Sequence, residues 1–221
     1  MMQQLFLAIG VFFASLGVQA NCPSFIAEGS RCWMSFERLR PGQVAVGYKL
    51  VEQKLSKLIK MSDSERSEYR AEHSTPVVLG PEGSLFMLDR HHTNNAFILI
   101  GFELVLVDVK FDWSSMKWGD FWVAMKDAAF LYLYDEVGRP VKVEDLPNYL
   151  WEMSDDPYRS LATFVRKEGK FKKSGRPFEE FYWARLFQEQ EFLKGVENDP
   201  DIWEKSIKKA VLWRKSVEDN F

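Results

Sequence analysis

Thr75-Pro-Val-Val-Leu-Gly-Pro-Glu-Gly-Ser-Leu-Phe-Met-Leu-Asp-Arg-His-His-Thr-Asn-Asn-Ala-Phe97 decides how this chain is read. Two apolar runs, Val77 to Leu79 and Leu85 to Leu88, flank Gly80-Pro-Glu-Gly83, and Gly and Pro between short apolar runs predict a tight turn joining two strands. The second strand leads into Asp89-Arg90-His91-His92, after which Thr93 to Ile100 continues as a helix. Polar side chains are thus delivered to a strand-to-helix junction. A helix start leaves backbone N–H groups unpaired and carries partial positive charge, so it attracts phosphates and carboxylates. Imidazoles titrate near neutral pH and can move protons, and a neighbouring carboxylate can orient an imidazole or bind a cation.

All three histidines of the chain, His73, His91 and His92, fall in this neighbourhood. A single His in a helix is ordinarily a packing residue. Three ionisable groups in succession after a hairpin are costly to bury unless they are paired or used, which favours a functional reading.

Upstream, Trp33 to Leu39 alternates in the manner of a strand, ended by Arg40-Pro-Gly42. Val44, Val46, Leu50, Val51, Lys54, Leu55, Leu58 and Ile59 recur at helical spacing and predict a helix over Gln43 to Lys60. Ser62 or Ser64 caps a second, charged helix through His73. Downstream, Glu103 to Phe111 is the most strand-like run, rich in β-branched residues and expected inside the sheet. Ser114 or Ser115 then caps a helix whose Met116, Trp118, Phe121, Trp122 and Met125 form a core stripe. From Asp145 onward the pattern is helical: Asp155-Asp156-Pro157 opens one helix, Phe178 to Leu193 forms a longer one, and Asp199-Pro200 opens a last one through Val217. The fold expected is α+β: a small mixed sheet with helices over residues 21–144, followed by a helical extension over 145–221 packed on that core.

Met1 to Ala20 reads as a secretory signal peptide, with an apolar core from Leu5 to Val18 and Val18-Gln19-Ala20 as the cleavage site, although the start carries no Lys or Arg. The expected location is therefore exported, periplasmic or secreted, and no later stretch is long enough to span a membrane. In that setting Cys22 and Cys32 predict one disulfide closing a short loop, worth roughly 2–3 kcal/mol by loop entropy. With hydrophobic residues at 46% and aromatics at 15% of 221 residues, the chain is an ordered globular one, and its formal net charge of −3 excludes nucleic-acid binding by bulk electrostatics. Contact with DNA or RNA requires a local patch. The one basic cluster, Arg166, Lys167, Lys170, Lys172, Lys173 and Arg176, is interleaved with Phe171, and suits phosphate contact if it folds toward His91 and His92 and a solvated connector if it does not. The nucleotide-binding glycine loops, the zinc-protease helix and the serine-hydrolase elbow are all missing.

The Asp-x-His-His of Asp89 to His92 resembles the Asp-Gly-His-His-Arg signature of the ParB/sulfiredoxin superfamily, and more closely the ParB-like nuclease family. Arg40-Pro41-x-Gln43-x-x-x-Gly47, Asp156-Pro-Tyr-Arg-Ser-Leu-Ala162 and Glu180-Phe-Tyr-Trp-Ala184 are similar to its other marks. Arg90 stands where the wider superfamily has Gly, and Thr93 where it often has Arg. The resemblance implies a sheet of the ParB/sulfiredoxin type and a site in which Asp89, His91 and His92 are catalytic. It also implies that Arg40, Gln43, Arg90, Asn94 and Arg159 contact the substrate, with Gln43 and the loop around Arg40 facing the His-His turn.

The function expected on this reading is an exported nuclease or phosphodiester hydrolase. One imidazole would activate water, Asp89 would orient it or hold a divalent metal ion, and Arg159 or the basic cluster would neutralise phosphate. The partner would be nucleic acid or a phosphate-bearing small molecule. Two alternatives stay open: a nucleotide-dependent small-molecule kinase, and a non-catalytic binding protein using the same cleft.

Overall fold

The structure is a computed structural model, and it describes residues 20–23, 25–196 and 201–218. The expected signal peptide therefore lies, but for Ala20, outside the described residues, as does the Asp199-Pro200 start of the last helix.

A five-stranded mixed sheet holds the centre of the fold. Its strands are β1 (Arg31–Ser35), β2 (Leu39–Pro41), β4 (Thr75–Leu79), β5 (Leu85–Met87) and β6 (Leu104–Asp112), in the order β1-β6-β4-β5-β2. β4 and β5 form the expected antiparallel hairpin, with Leu79 opposite Leu85. β6 is interior, antiparallel to β1 and parallel to β4. Side chains alternate across a strand, and the apolar residues divide accordingly. Val77, Leu79, Leu85, Met87, Val105, Val107 and Val109 face one core with Val51, Leu58 and Phe97. Val78 and Phe86 face the other, with Phe121 and Met125 of α4 (Trp118–Asp127). A register shift at Val77/Val78 changes the facing of β6, so that Phe111 packs with the second core.

Two further strands, β3 (Ala45–Val46) and β7 (Ser154–Asp155), pair parallel outside the sheet. The helix expected from Gln43 therefore begins only at Tyr48: α1 spans Tyr48–Ile59, while Gln43 makes an isolated bridge to Tyr132 and Ala45–Val46 is strand. Val44 and Val46 fit period two as well as a helical face, and Gly47 ends the extended segment. The early strand is likewise interrupted. The Ser35 hydroxyl accepts from the N–H of Glu37, a 3-10 turn follows over Phe36–Arg38, and β2 then pairs parallel with β5. Ser62 caps α2 (Asp63–Glu72) through a full capping box with Glu65, as its sequence predicts. α4 is not capped by Ser114 or Ser115. Ser114 is spent on Asp112, and Lys117 precedes the first turn.

The helices that follow are α5 (Pro157–Glu168), α6 (Glu179–Glu189) and α7 (Asp201–Glu218), with α5 packed on both α6 and α7. Leu161, Val165, Ala184, Phe187 and Ala210 form a third apolar cluster among them. α1 lies against α5 on one side and against α3 (His91–Leu99) on the other, which brings the central motif and the C-terminal helices to a common seam. Cys22 and Cys32 are joined in a disulfide that ties the segment before β1 to that strand. No helix among the described residues is long and apolar enough to cross a membrane.

Candidate functional site

The turn from β5 into α3 is made by Arg90, whose φ of +75° places it in the left-handed region. That conformation favours Gly; here the strain is accepted and a cation gained. The N–H of Arg90 donates to Oδ1 of Asp89 at 2.6 Å, and Oδ2 has no partner among the described residues. No side chain caps α3, and its first helical hydrogen bond runs from the N–H of Asn94 to the carbonyl of Arg90 at 2.9 Å. The N–H groups of His91, His92 and Thr93 precede that bond and are the orphan donors of an uncapped helix start.

Beside this start is a cavity of about 300 Å³. Asp89, Arg90, His92 and Thr93 line it from the turn, Leu50, Gln53 and Lys54 from α1, and Arg159, Thr163, Arg166 and Lys167 from α5; Lys173 and Glu180 close it. Six cations and two carboxylates thus share one cavity on a chain whose net charge is −3. Of the basic cluster, Arg166, Lys167 and Lys173 fold toward the His-His turn, whereas Lys170, Lys172 and Arg176 do not line this cavity. Glu180 is shared, with its Oε1 at 3.3 Å from Nε of Arg166 and 3.2 Å from Nζ of Lys173. Burial pushes Glu180 up, yet Arg159 and Lys173 hold its carboxyl below the ordinary range.

Arg159 is positioned by the start of α5. Asp156 caps that helix, its Oδ1 accepting from the N–H of Arg159 at 2.9 Å, while its Oδ2 takes a short hydrogen bond from Arg185. Burial lifts the Asp156 carboxyl to about 6 against the pull of Arg185. Nη1 of Arg159 donates to Thr163 at 2.6 Å, its guanidinium lies 5.0 Å over Phe181, and its Nε is buried without a partner. Lys54 is pulled below the usual lysine range, first by burial and then by Arg90 and Lys167.

The two histidines have different surroundings, as residues about 100° apart on a helix must. His92 lines the cavity; His91 is 7% exposed and does not. The backbone N–H of Gly47 donates to Nε2 of His92 at 3.3 Å, which makes Nε2 an acceptor and puts the proton of the neutral ring on Nδ1. Burial, then Arg159 and His91, lower His92 well below 6.5. Burial lowers His91 to about 4 despite Asp89, and its Nε2 has no partner. His73 does not line the cavity and stacks on Tyr69 at 3.7 Å.

Of the expected substrate contacts, Arg90 and Arg159 line the cavity, and Arg40, Gln43 and Asn94 do not. Arg40 donates to Asn148 at the surface. Gln43 is buried, and its side-chain amide donates to the carbonyl of Ala45 at 2.6 Å. Asn94 is fully buried and donates to Thr75, tying α3 to β4. The sequence does not single out Lys54, although a Lys on the apolar stripe of α1 is the signal that marks it. Among the described residues no group of three or more His, Cys, Asp or Glu comes together to hold a metal. Asp89 and His92 are the donors nearest to such a set, while Glu180 is engaged by Arg166 and Lys173. The residues present do not fit a resident divalent ion.

No curated protein matches the chain. A solved structure does: protein Atu1540 from Agrobacterium tumefaciens is 28% identical and superposes with a TM-score of 0.71, over 81% of this chain and 90% of that one. The family model described as "Putative ParB-like nuclease" matches residues 32–189, well over half of the sequence and inclusive of every residue of the cavity. With the mixed sheet and the Asp-x-His-His turn in place, the chain belongs to the ParB-like nuclease family.

Proposed function

We propose that this protein is an exported phosphodiester hydrolase that seats the phosphate of its substrate in the cavity at the start of α3. The observation that carries this reading is the convergence of Lys54, Arg90, Arg159, Arg166, Lys167 and Lys173 on one cavity beside an uncapped helix start. Like charges are held together at a cost, which an anion relieves. In the proposed chemistry the free Oδ2 of Asp89 takes a proton from water as it attacks phosphorus. Lys54, already inclined to release its proton, gives one to the departing oxygen. Arg159 and the N–H groups of α3 stabilise charge on the phosphoryl oxygens, and His92 offers Nδ1–H as a neutral donor. Export is supported by the disulfide, which persists in oxidising compartments.

Hydrolysis of an activated phosphodiester by the full chain, compared with Asp89→Asn, tests this. The expected result is a loss of roughly a hundredfold or more in the variant; equal rates, or no turnover by the wild type, would contradict it. A second reading, a phosphate-binding protein without catalysis, is favoured by one observation: the Gly47 N–H occupies Nε2 of His92, so the cavity's imidazole is held as a donor and Asp89 is left as the sole base. Binding without turnover would select it.

A further inference from the structure

The wall behind Arg159 continues into a second cavity, of about 390 Å³, that the chemistry above does not use. The guanidinium of Arg159 lies over Phe181, Phe181 stacks on Tyr132 with centroids 3.9 Å apart, and Tyr132 in turn contacts Tyr134 at 5.2 Å. Tyr132, Tyr134, Phe178 and Tyr182 line the second cavity together with Arg176 and Arg185. The two outer rings, Tyr134 and Tyr182, are 45% and 43% exposed, and Arg176 sits 4.3 Å over Tyr182. Arg185 is engaged by Asp156 and Glu136, whereas Arg176 has no carboxylate partner among the described residues. The same basic segment serves both cavities. Lys173 closes the first and Arg176, three residues on and at most about 11 Å away along the chain, lines the second. Phe178 adopts a left-handed φ of 54° at the start of α6 and sets its ring 5.3 Å from Tyr132, an unfavourable conformation for a bulky residue, of the kind that collects at functional sites.

We infer that this aromatic cleft is a base-stacking subsite, and that the ligand of the adjoining basic cavity is a single-stranded nucleic acid running from one to the other. The inference rests on the phosphate-binding reading of the first cavity. Exposed rings, with an arginine that rests on one of them and has no carboxylate partner among the described residues, beside a cationic cavity match the alternation of base and phosphate along a strand. A duplex keeps its bases stacked on one another and offers these rings no free face. An acidic peptide would satisfy the cations and leave Tyr134 and Tyr182 without a planar partner.

The test is anisotropy of a labelled short oligonucleotide with the full chain at fixed salt, for the wild type, Tyr134→Ala, Tyr182→Ala and the two Tyr→Phe variants, with inorganic pyrophosphate titrated in parallel. Both tyrosines are surface residues, and thermal melting checks that each variant is folded. The expected result is single-strand binding by the wild type, weakened about fivefold or more by each Ala variant and restored by Phe, with duplex binding weaker and pyrophosphate affinity unchanged throughout. Strand binding indifferent to the rings, a duplex bound as well as the single strand, or poly-glutamate bound with the same sensitivity to both Ala variants, would overturn the inference. Pyrophosphate binding alongside any of these would leave the first cavity's reading intact. Loss of both ligands from the wild type would sink the two together.

Discussion

The N–H of Gly47, at the start of α1, donates to Nε2 of His92, at the start of α3, across 3.3 Å. This bond fixes the tautomer of the histidine in the cavity and leaves its neighbour His91 in the core. Substituting the two should therefore have unlike effects. His92→Ala is expected to weaken anion binding by about tenfold with little change in melting temperature, and His91→Ala to cost about 2–3 kcal/mol of stability while changing affinity less. Calorimetric melting and anion titration of the two variants check this; parallel losses in both would contradict the division.

The burial of His91 also predicts acid lability. Its folded value of about 4 lies below the unfolded value of about 6.5, so the neutral ring stabilises the fold above pH 6.5, and that contribution is lost as the pH falls from 6.5 through 4. About 3 kcal/mol is at stake. Denaturant unfolding at pH 7 and pH 4 should show a smaller drop in His91→Gln than in the wild type, even though burial of Asp156 works in the opposite sense over the same range. An equal drop in both would refute it.

Arg90 holds a left-handed φ that Gly would adopt without strain. Arg90→Gly is expected to raise stability by about 0.5–1 kcal/mol while lowering anion affinity, because it removes one of the cavity's cations. A variant less stable than the wild type would show that the Arg90 side chain contributes more to packing than the turn costs.

A Cβ on Gly47 would come within 2.4 Å of the Ser160 hydroxyl and 2.9 Å of its backbone nitrogen. Gly47→Ala must therefore push α1 from α5, at about 1–3 kcal/mol, and loosen the cavity those helices share. Chemical denaturation and anion titration should both register it; a change within 0.5 kcal/mol in the first would contradict the tight approach.

Much of this arrangement is legible in the sequence, and the parts that are not have local causes. The hairpin, the strand through Val105 and Val107, the Ser62 cap and the Asp156-Pro157 start are set by patterns whose local and tertiary preferences agree. The segment Gln43 to Val46 satisfies both periods, and its pairing with Ser154, more than a hundred residues on, decides for the strand. The site divides in the same way. Asp89 and His92 are marked by local spacing, while Lys54, Thr163 and Glu180 join them only through the packing of α1, α5 and α6, which spacing does not encode. Arg40 and Gln43, near the site by motif, are engaged elsewhere by Asn148 and by the chain's own backbone.

Titration calorimetry of the full chain with inorganic pyrophosphate, at low and moderate salt, tests the phosphate cavity most directly when the wild type is compared with a Lys167→Ala, Lys173→Ala double variant. The account predicts binding that weakens with salt and falls by about tenfold or more in the variant, with melting temperature preserved. Absence of binding by the wild type, or equal affinity in the two proteins, would contradict it.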